Sequence, residues 1–216
     1  MKKKILALIA VSMLLPLCVV MTGCGNSFDP CDYLKGQMQL LKTGEVTEEA
    51  LANTEGSKED LEKDYQEVED TFVDAFLEEV KELNFEDTKE NREMVADVFR
   101  AIMAPMTYEV SDEYTEEGDS YFVDITVERS NILNEDVLEK WTNDWVDSHY
   151  GKFNSEADVY AAFWPDYCNY IIENADKVGM TDSGKITIEI AYNDDDGYYE
   201  VTKSSIGKLV DAVFGN

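Results

Sequence analysis

Apolar positions along the chain change period several times, and each change marks an element. Tyr33, Leu34, Met38 and Leu41 recur at helical spacing. Asp29-Pro30 supplies an N-cap and a first-turn proline ahead of them, so the pattern predicts a helix to about Lys42, stopped by Gly44. A short helical turn follows over Thr47 to Asn53, and Asn53-Thr54-Glu55-Gly56-Ser57 breaks it. Ser57 and Asp60 form a variant capping box. Beyond them Leu61, Tyr65, Val68, Phe72, Phe76, Val80 and Leu83 make one stripe of a long amphipathic helix. Its other face holds Glu59, Glu62, Glu67, Asp70, Asp74 and Glu78, the pattern of a solvated acidic surface. A third helix of about Lys89 to Met103 presents Met94, Val95, Val98, Phe99 and Ile102, and Pro105 stops it.

The period then drops to two. Met106, Tyr108 and Val110 alternate with polar residues, "TEEGD" turns, and Tyr121, Val123, Ile125 and Val127 alternate back, giving an antiparallel hairpin with one buried face. Helices of about Glu135 to His149 and Ser155 to Val178 follow, the second expected to kink or split at Pro165. A second hairpin starts at Ile186 and turns at "NDDDG" before Tyr199 and Val201. A last helix carries Ile206, Leu209, Val210 and Val213. Helices on one face of a curved antiparallel sheet built from two hairpins define an α+β fold. Without a Pro/Gly/Ser-rich linker, residues 29–216 read as a single domain.

The first 28 residues follow other rules. Lys2, Lys3 and Lys4 precede an apolar run from Ile5 to Met21, which is a secretory leader. The run is slightly short of the roughly 20 residues that span a bilayer, and Pro16 interrupts it. Met21-Thr22-Gly23-Cys24 then resembles the lipobox of bacterial lipoproteins, with Met21 where leucine is more usual. That resemblance implies cleavage of residues 1–23, a new N-terminus at Cys24 bearing a thioether-linked diacylglyceryl group and palmitate-type acyl chains, and a short tether over 24–28. An ordinary cleaved signal and an uncleaved anchor helix are the alternatives. Two acyl chains give durable attachment where one is marginal.

Composition sharpens the placement. The leader takes three lysines and no acid from a chain of 18 basic and 47 acidic residues, so the mature protein has a formal charge of −32. With 44% hydrophobic residues, that describes a folded core under an acidic surface, which repels nucleic acid. Cys18 leaves with the leader, which leaves Cys31 and Cys168 either to bridge or to stay as free buried thiols.

The chain also resembles small lipoproteins of Gram-positive bacteria whose mature part is a cystatin-like or nuclear-transport-factor-2-like domain of unknown function. "YLKGQMQLLKTGE", with Tyr33, Leu40 and Gly44, matches the opening helix; "MTYEVSDEYTEEGDSYFVDITVE" matches the middle hairpin and "KITIEIAYNDDDGYYEV" the last. Where many members carry tryptophan after the last turn glycine, this chain has Tyr198 and Tyr199 after Gly197. The resemblance implies a conical fold with a cleft between sheet and helices, on the outer face of the cytoplasmic membrane, and no activity to inherit.

Candidate chemistry is thin. Aligning Gly197 with the sixth position of a calcium loop puts Tyr192 first and Lys203 twelfth, where carboxylates are needed, so "NDDDG" is a hairpin turn and no metal is expected. His149, the single histidine, lies near a helix C-terminus, a structural position. No phosphate loop, nucleophile elbow or HExxH is present, and no cofactor is called for. Trp141, Trp145, Trp164 and Tyr167 are core residues or, in a conical domain, the lining of a cleft. The expected function is a non-enzymatic lipoprotein that binds a protein partner or small ligand at the membrane. A small-cleft enzyme and an acidic cation-binding spacer are the alternatives.

Overall fold

The computed structural model describes residues 28–54, 56–194 and 197–215. The leader, Cys24 and the tether before Phe28 lie outside them. Among the described residues the fold is α+β, with seven α-helices and one curved four-stranded antiparallel sheet in the order β1-β2-β3-β4. The elements are α1 (Pro30–Thr43), α2 (Glu48–Ala52), α3 (Lys58–Val80), α4 (Lys89–Met103), β1 (Thr107–Glu117), β2 (Ser120–Ser130), α5 (Glu135–His149), α6 (Glu156–Asn174), β3 (Met180–Asn193), β4 (Tyr198–Val201) and α7 (Lys203–Phe214). Short 3-10 turns at Lys81–Leu83 and Asn131–Leu133 follow α3 and β2.

Local chemistry explains most boundaries. The Asp29 carboxylate accepts from the Cys31 and Asp32 amides to start α1, and Gly44, at φ 69°, ends it by donating to the Leu40 carbonyl. The expected capping box at Ser57 and Asp60 is complete in both directions. Thr88, Asn134 and Ser155 cap α4, α5 and α6 through side-chain oxygens.

One face of the sheet is apolar: Val110 on β1, Val123, Ile125 and Val127 on β2, Ile188 and Ile190 on β3, and Val201 on β4 are buried. Helices α1 and α7 lie against that face, α4 packs on α1, and α3 and α6 pack on α4. The other face carries polar cross-strand pairs, such as Asp124 bonded to Lys185 and Thr187 at 2.7 Å each. Two irregularities bend the sheet. Register shifts between Val110 and Tyr114 on β1, and one extra residue of β3 lies opposite β2 beside Gly184, which adopts φ 72°. Where β4 ends, α7 takes over the edge of β3. The Thr202 amide donates to the Glu189 carbonyl, the Ser205 hydroxyl accepts from the Glu189 amide, and Lys208 Nζ donates to the Thr187 carbonyl.

A buried charge ties two helices together. Glu69 on α3, 3% exposed, accepts from Arg100 Nε and Nη2 on α4 at 2.8 and 2.9 Å. This bidentate geometry matches guanidinium to carboxylate.

Two expectations need correction. Helix α6 is not split at Pro165 but continues through it, with Trp164, Tyr167, Cys168 and Ile171 buried on the core. It ends at Asn174 rather than near Val178, and β3 starts at Met180, six residues before Ile186. The two hairpins form one sheet, as expected, since β2 and β3 pair along most of their length. Among the described residues no helix is long and apolar enough to cross a membrane.

Candidate functional site

The predicted aromatic residues assemble where α5 meets α6. Trp141 and Tyr170 stack at 5.0 Å, and Trp141 also contacts Phe163 and Tyr167 at 5.6 and 5.7 Å. Trp145 meets Phe163 edge-on at 5.1 Å and donates its indole N–H to Asp166 at 2.8 Å, which locks the helices together. Trp164 turns inward to contact Phe76 and Phe85. Trp145, Trp164 and Tyr167 are only 7%, 3% and 8% exposed, so these three are buried in the core. Trp141 alone of the four is half-buried, and with the half-buried Tyr170 it packs against the core.

Two polar groups within this core lack protein partners. The Trp164 indole N–H and both amide atoms of Gln37 on α1 are buried without a hydrogen bond. Each orphan costs about 1–3 kcal/mol.

The cysteine bridge is not formed: Cys31 on α1 and Cys168 on α6 are free and buried. Burial, with Asp29 adding to it, pushes the Cys31 thiol up to about 11, and burial pushes Cys168 up to about 12. Neither is a thiolate nucleophile at neutral pH. His149 stacks on Trp145 at 4.2 Å, and its Nδ1 lies 2.9 Å from the Trp145 carbonyl and 3.0 Å from the Ser148 hydroxyl. That arrangement satisfies the last turn of α5. The acidic turn closes by a bond from the Gly197 amide to the Asn193 carbonyl at 2.7 Å, with Gly197 at φ 80°. Among the described residues no group of three or more His, Cys, Asp or Glu is placed to hold a metal.

A second aromatic assembly lies at the other end of the molecule, and the sequence reading missed it. The register that places Val123, Ile188, Ile190 and Val201 on the apolar face continues outward to Tyr114, Tyr121, Tyr192 and Tyr199. There Phe28, assigned from the sequence to the tether, packs as part of the fold. It stacks on Tyr199 at 4.7 Å with rings 3° from parallel and contacts Tyr121 and Tyr33 at 5.6 and 5.9 Å. Tyr121 meets Tyr114 and Tyr199 at 5.4 and 5.1 Å, and Tyr192 meets Tyr199 at 5.2 Å. A hydrogen bond to Tyr199, then burial and the nearby Glu116 charge, raise the Tyr121 phenol to about 12. Tyrosines suit this place because their rings close the end of the core while their hydroxyls reach water. The signal was present as alternation through Tyr121, Tyr192 and Tyr199. What the sequence withheld was that Phe28 covers them.

Compared with known protein families, curated proteins and solved structures, the chain matches none.

Proposed function

We propose that this protein is a lipid-anchored, extracytoplasmic binding module, held on the outer face of the cytoplasmic membrane by acylated Cys24 and acting on a protein partner or small ligand without catalysis. The observation that carries the anchoring is the start of the fold. Phe28 is already packed on Tyr33, Tyr121 and Tyr199, only four residues after the lipobox-like Cys24. A leader of this length followed at once by a folded domain suits a surface protein tethered at its N-terminus. The half-buried, stacked pair of Trp141 and Tyr170 offers a contact surface, since aromatic side chains at a surface combine area with low entropic cost. The partner set of His149, one carbonyl and one hydroxyl of its own helix, is what a helix end requires and supports binding over acid–base chemistry.

Cross-linking intact cells tests this function. The expected result is a defined partner recovered with the wild-type protein and lost in both Cys24→Ala and Trp141→Ala. Absence of any partner in all three would count against the binding role, and a partner that survives Trp141→Ala would move the contact elsewhere.

A further inference from the structure

The α5–α6 aromatics are mostly core and the thiols are buried.

Both hairpin turns sit at one end of the sheet. Glu117 pairs with Ser120, Ser120 with Ala191, and Asn193 with Tyr198, while the Tyr192 amide donates to the Asp119 carbonyl. Helix α1 starts at this end and runs away from it. Phe28 contacts Tyr121 and Tyr199, Lys35 then bonds Asp112 at 2.8 Å, and Gln39 accepts from Tyr108 at 3.0 Å. Those partners move along β1 from the turn toward its start at Thr107. The opposite end of the sheet holds Thr107, Ser130 and Met180, where α5 begins and α6 finishes.

Phe28 lies four chain steps after Cys24, and an extended chain spans at most about 3.6 Å per step, so the reach is about 14 Å. Strand β2 has 11 residues at roughly 3.3 Å each, and its far end lies beyond that reach. We infer that the hairpin-turn end of the sheet is the membrane-facing end of the protein, held over the lipid head groups, and that the α5–α6 end projects outward. This rests on the Cys24 anchor.

The chemistry of the facing surface specifies the head groups it tolerates. Tyr114 is 45% exposed and Tyr192 and Tyr199 are half-buried, which is the amphipathic character found at lipid–water boundaries. Glu113, Glu116, Glu117, Asp119 and Asp194 are exposed around them. An acidic rim favours head groups whose outermost charge is an ammonium, such as phosphatidylcholine, and is pushed away from phosphatidylglycerol.

Energy transfer on reconstituted full-length lipoprotein tests the orientation. A donor dye is placed at Glu117→Cys or at Glu128→Cys, both exposed positions, with an acceptor on the head groups of phosphatidylcholine vesicles. The two sites are eight strand residues apart on β2 beyond the turn, roughly 25 Å. Transfer from 117 should be several-fold stronger than from 128, and a twelve-residue Gly/Ser insert between Ser27 and Phe28 should erase the difference. Replacing the lipid by phosphatidylglycerol at low salt should lower transfer from 117. Protein that floats with the vesicles but transfers equally from both sites, or more from 128, overturns the orientation and leaves the anchor standing. Transfer from 117 that ignores the lipid overturns the head-group preference. Protein that fails to float overturns the anchor and the orientation with it.

Discussion

At the scale of single residues, the two thiols show how burial fixes chemistry. Both ionise in the unfolded chain near 9 but in the fold only near 11 for Cys31 and 12 for Cys168. Above pH 9 the unfolded state therefore releases protons that the folded state keeps. Their contribution is complete below pH 9 and is lost as pH rises through the folded values. The melting temperature should fall over that window, and the Cys31→Ala, Cys168→Ala double variant should fall less steeply, although it starts lower because of the cavities. A double variant with the wild-type slope would show that other groups dominate. The sequence left bridge and free thiols open because it cannot give the distance between an α1 residue and an α6 residue. Phe28 was misjudged for a related reason: its packing partners are Tyr121 and Tyr199, far along the chain, and no local pattern announces them.

Elements were far more legible, because caps and periodicity are local. The bounds of α4 and α5 coincide with those expected from the sequence, and the one-sided sheet follows from alternation in β2 and β3. What could not be read was how tertiary packing overrides a breaker, as at Pro165, or how closely two helices approach. Gly36 on α1 illustrates the second point. A Cβ there would lie 2.7 Å from the Ala50 Cα and 2.9 Å from its amide nitrogen, both backbone atoms of α2. Alanine gains about 1 kcal/mol of helix propensity at Gly36, but overpacking against a backbone costs about 1–3 kcal/mol. Gly36→Ala should therefore melt lower than wild type. Pro165→Ala should do the reverse, since it returns a backbone donor to the interior of α6, and each 1 kcal/mol is worth about 2–4 °C at this size. Thermal melts of the two variants read both signs directly. A stabilised Gly36→Ala would mean that α1 and α2 separate freely, and a destabilised Pro165→Ala that the helix has adapted to its proline.

For the whole molecule, charge is the dominant fact. A chain at −29 strains against itself, and salt relieves that repulsion. The melting temperature should rise steadily from about 10 mM to about 1 M NaCl, as the Debye length shrinks from about 30 to about 3 Å. Magnesium chloride at matched ionic strength should give the same curve. A saturating rise at millimolar magnesium would instead favour the cation-binding spacer. With the proposed anchor at Cys24, the same acidity gives the hairpin-turn end its lipid preference. All of this depends on Cys24. The direct test is the mass of the N-terminal peptide from protein extracted from the native membrane. The account predicts a peptide beginning at Cys24 and carrying a diacylglyceryl thioether. A peptide beginning elsewhere, or at an unmodified Cys24, would contradict it.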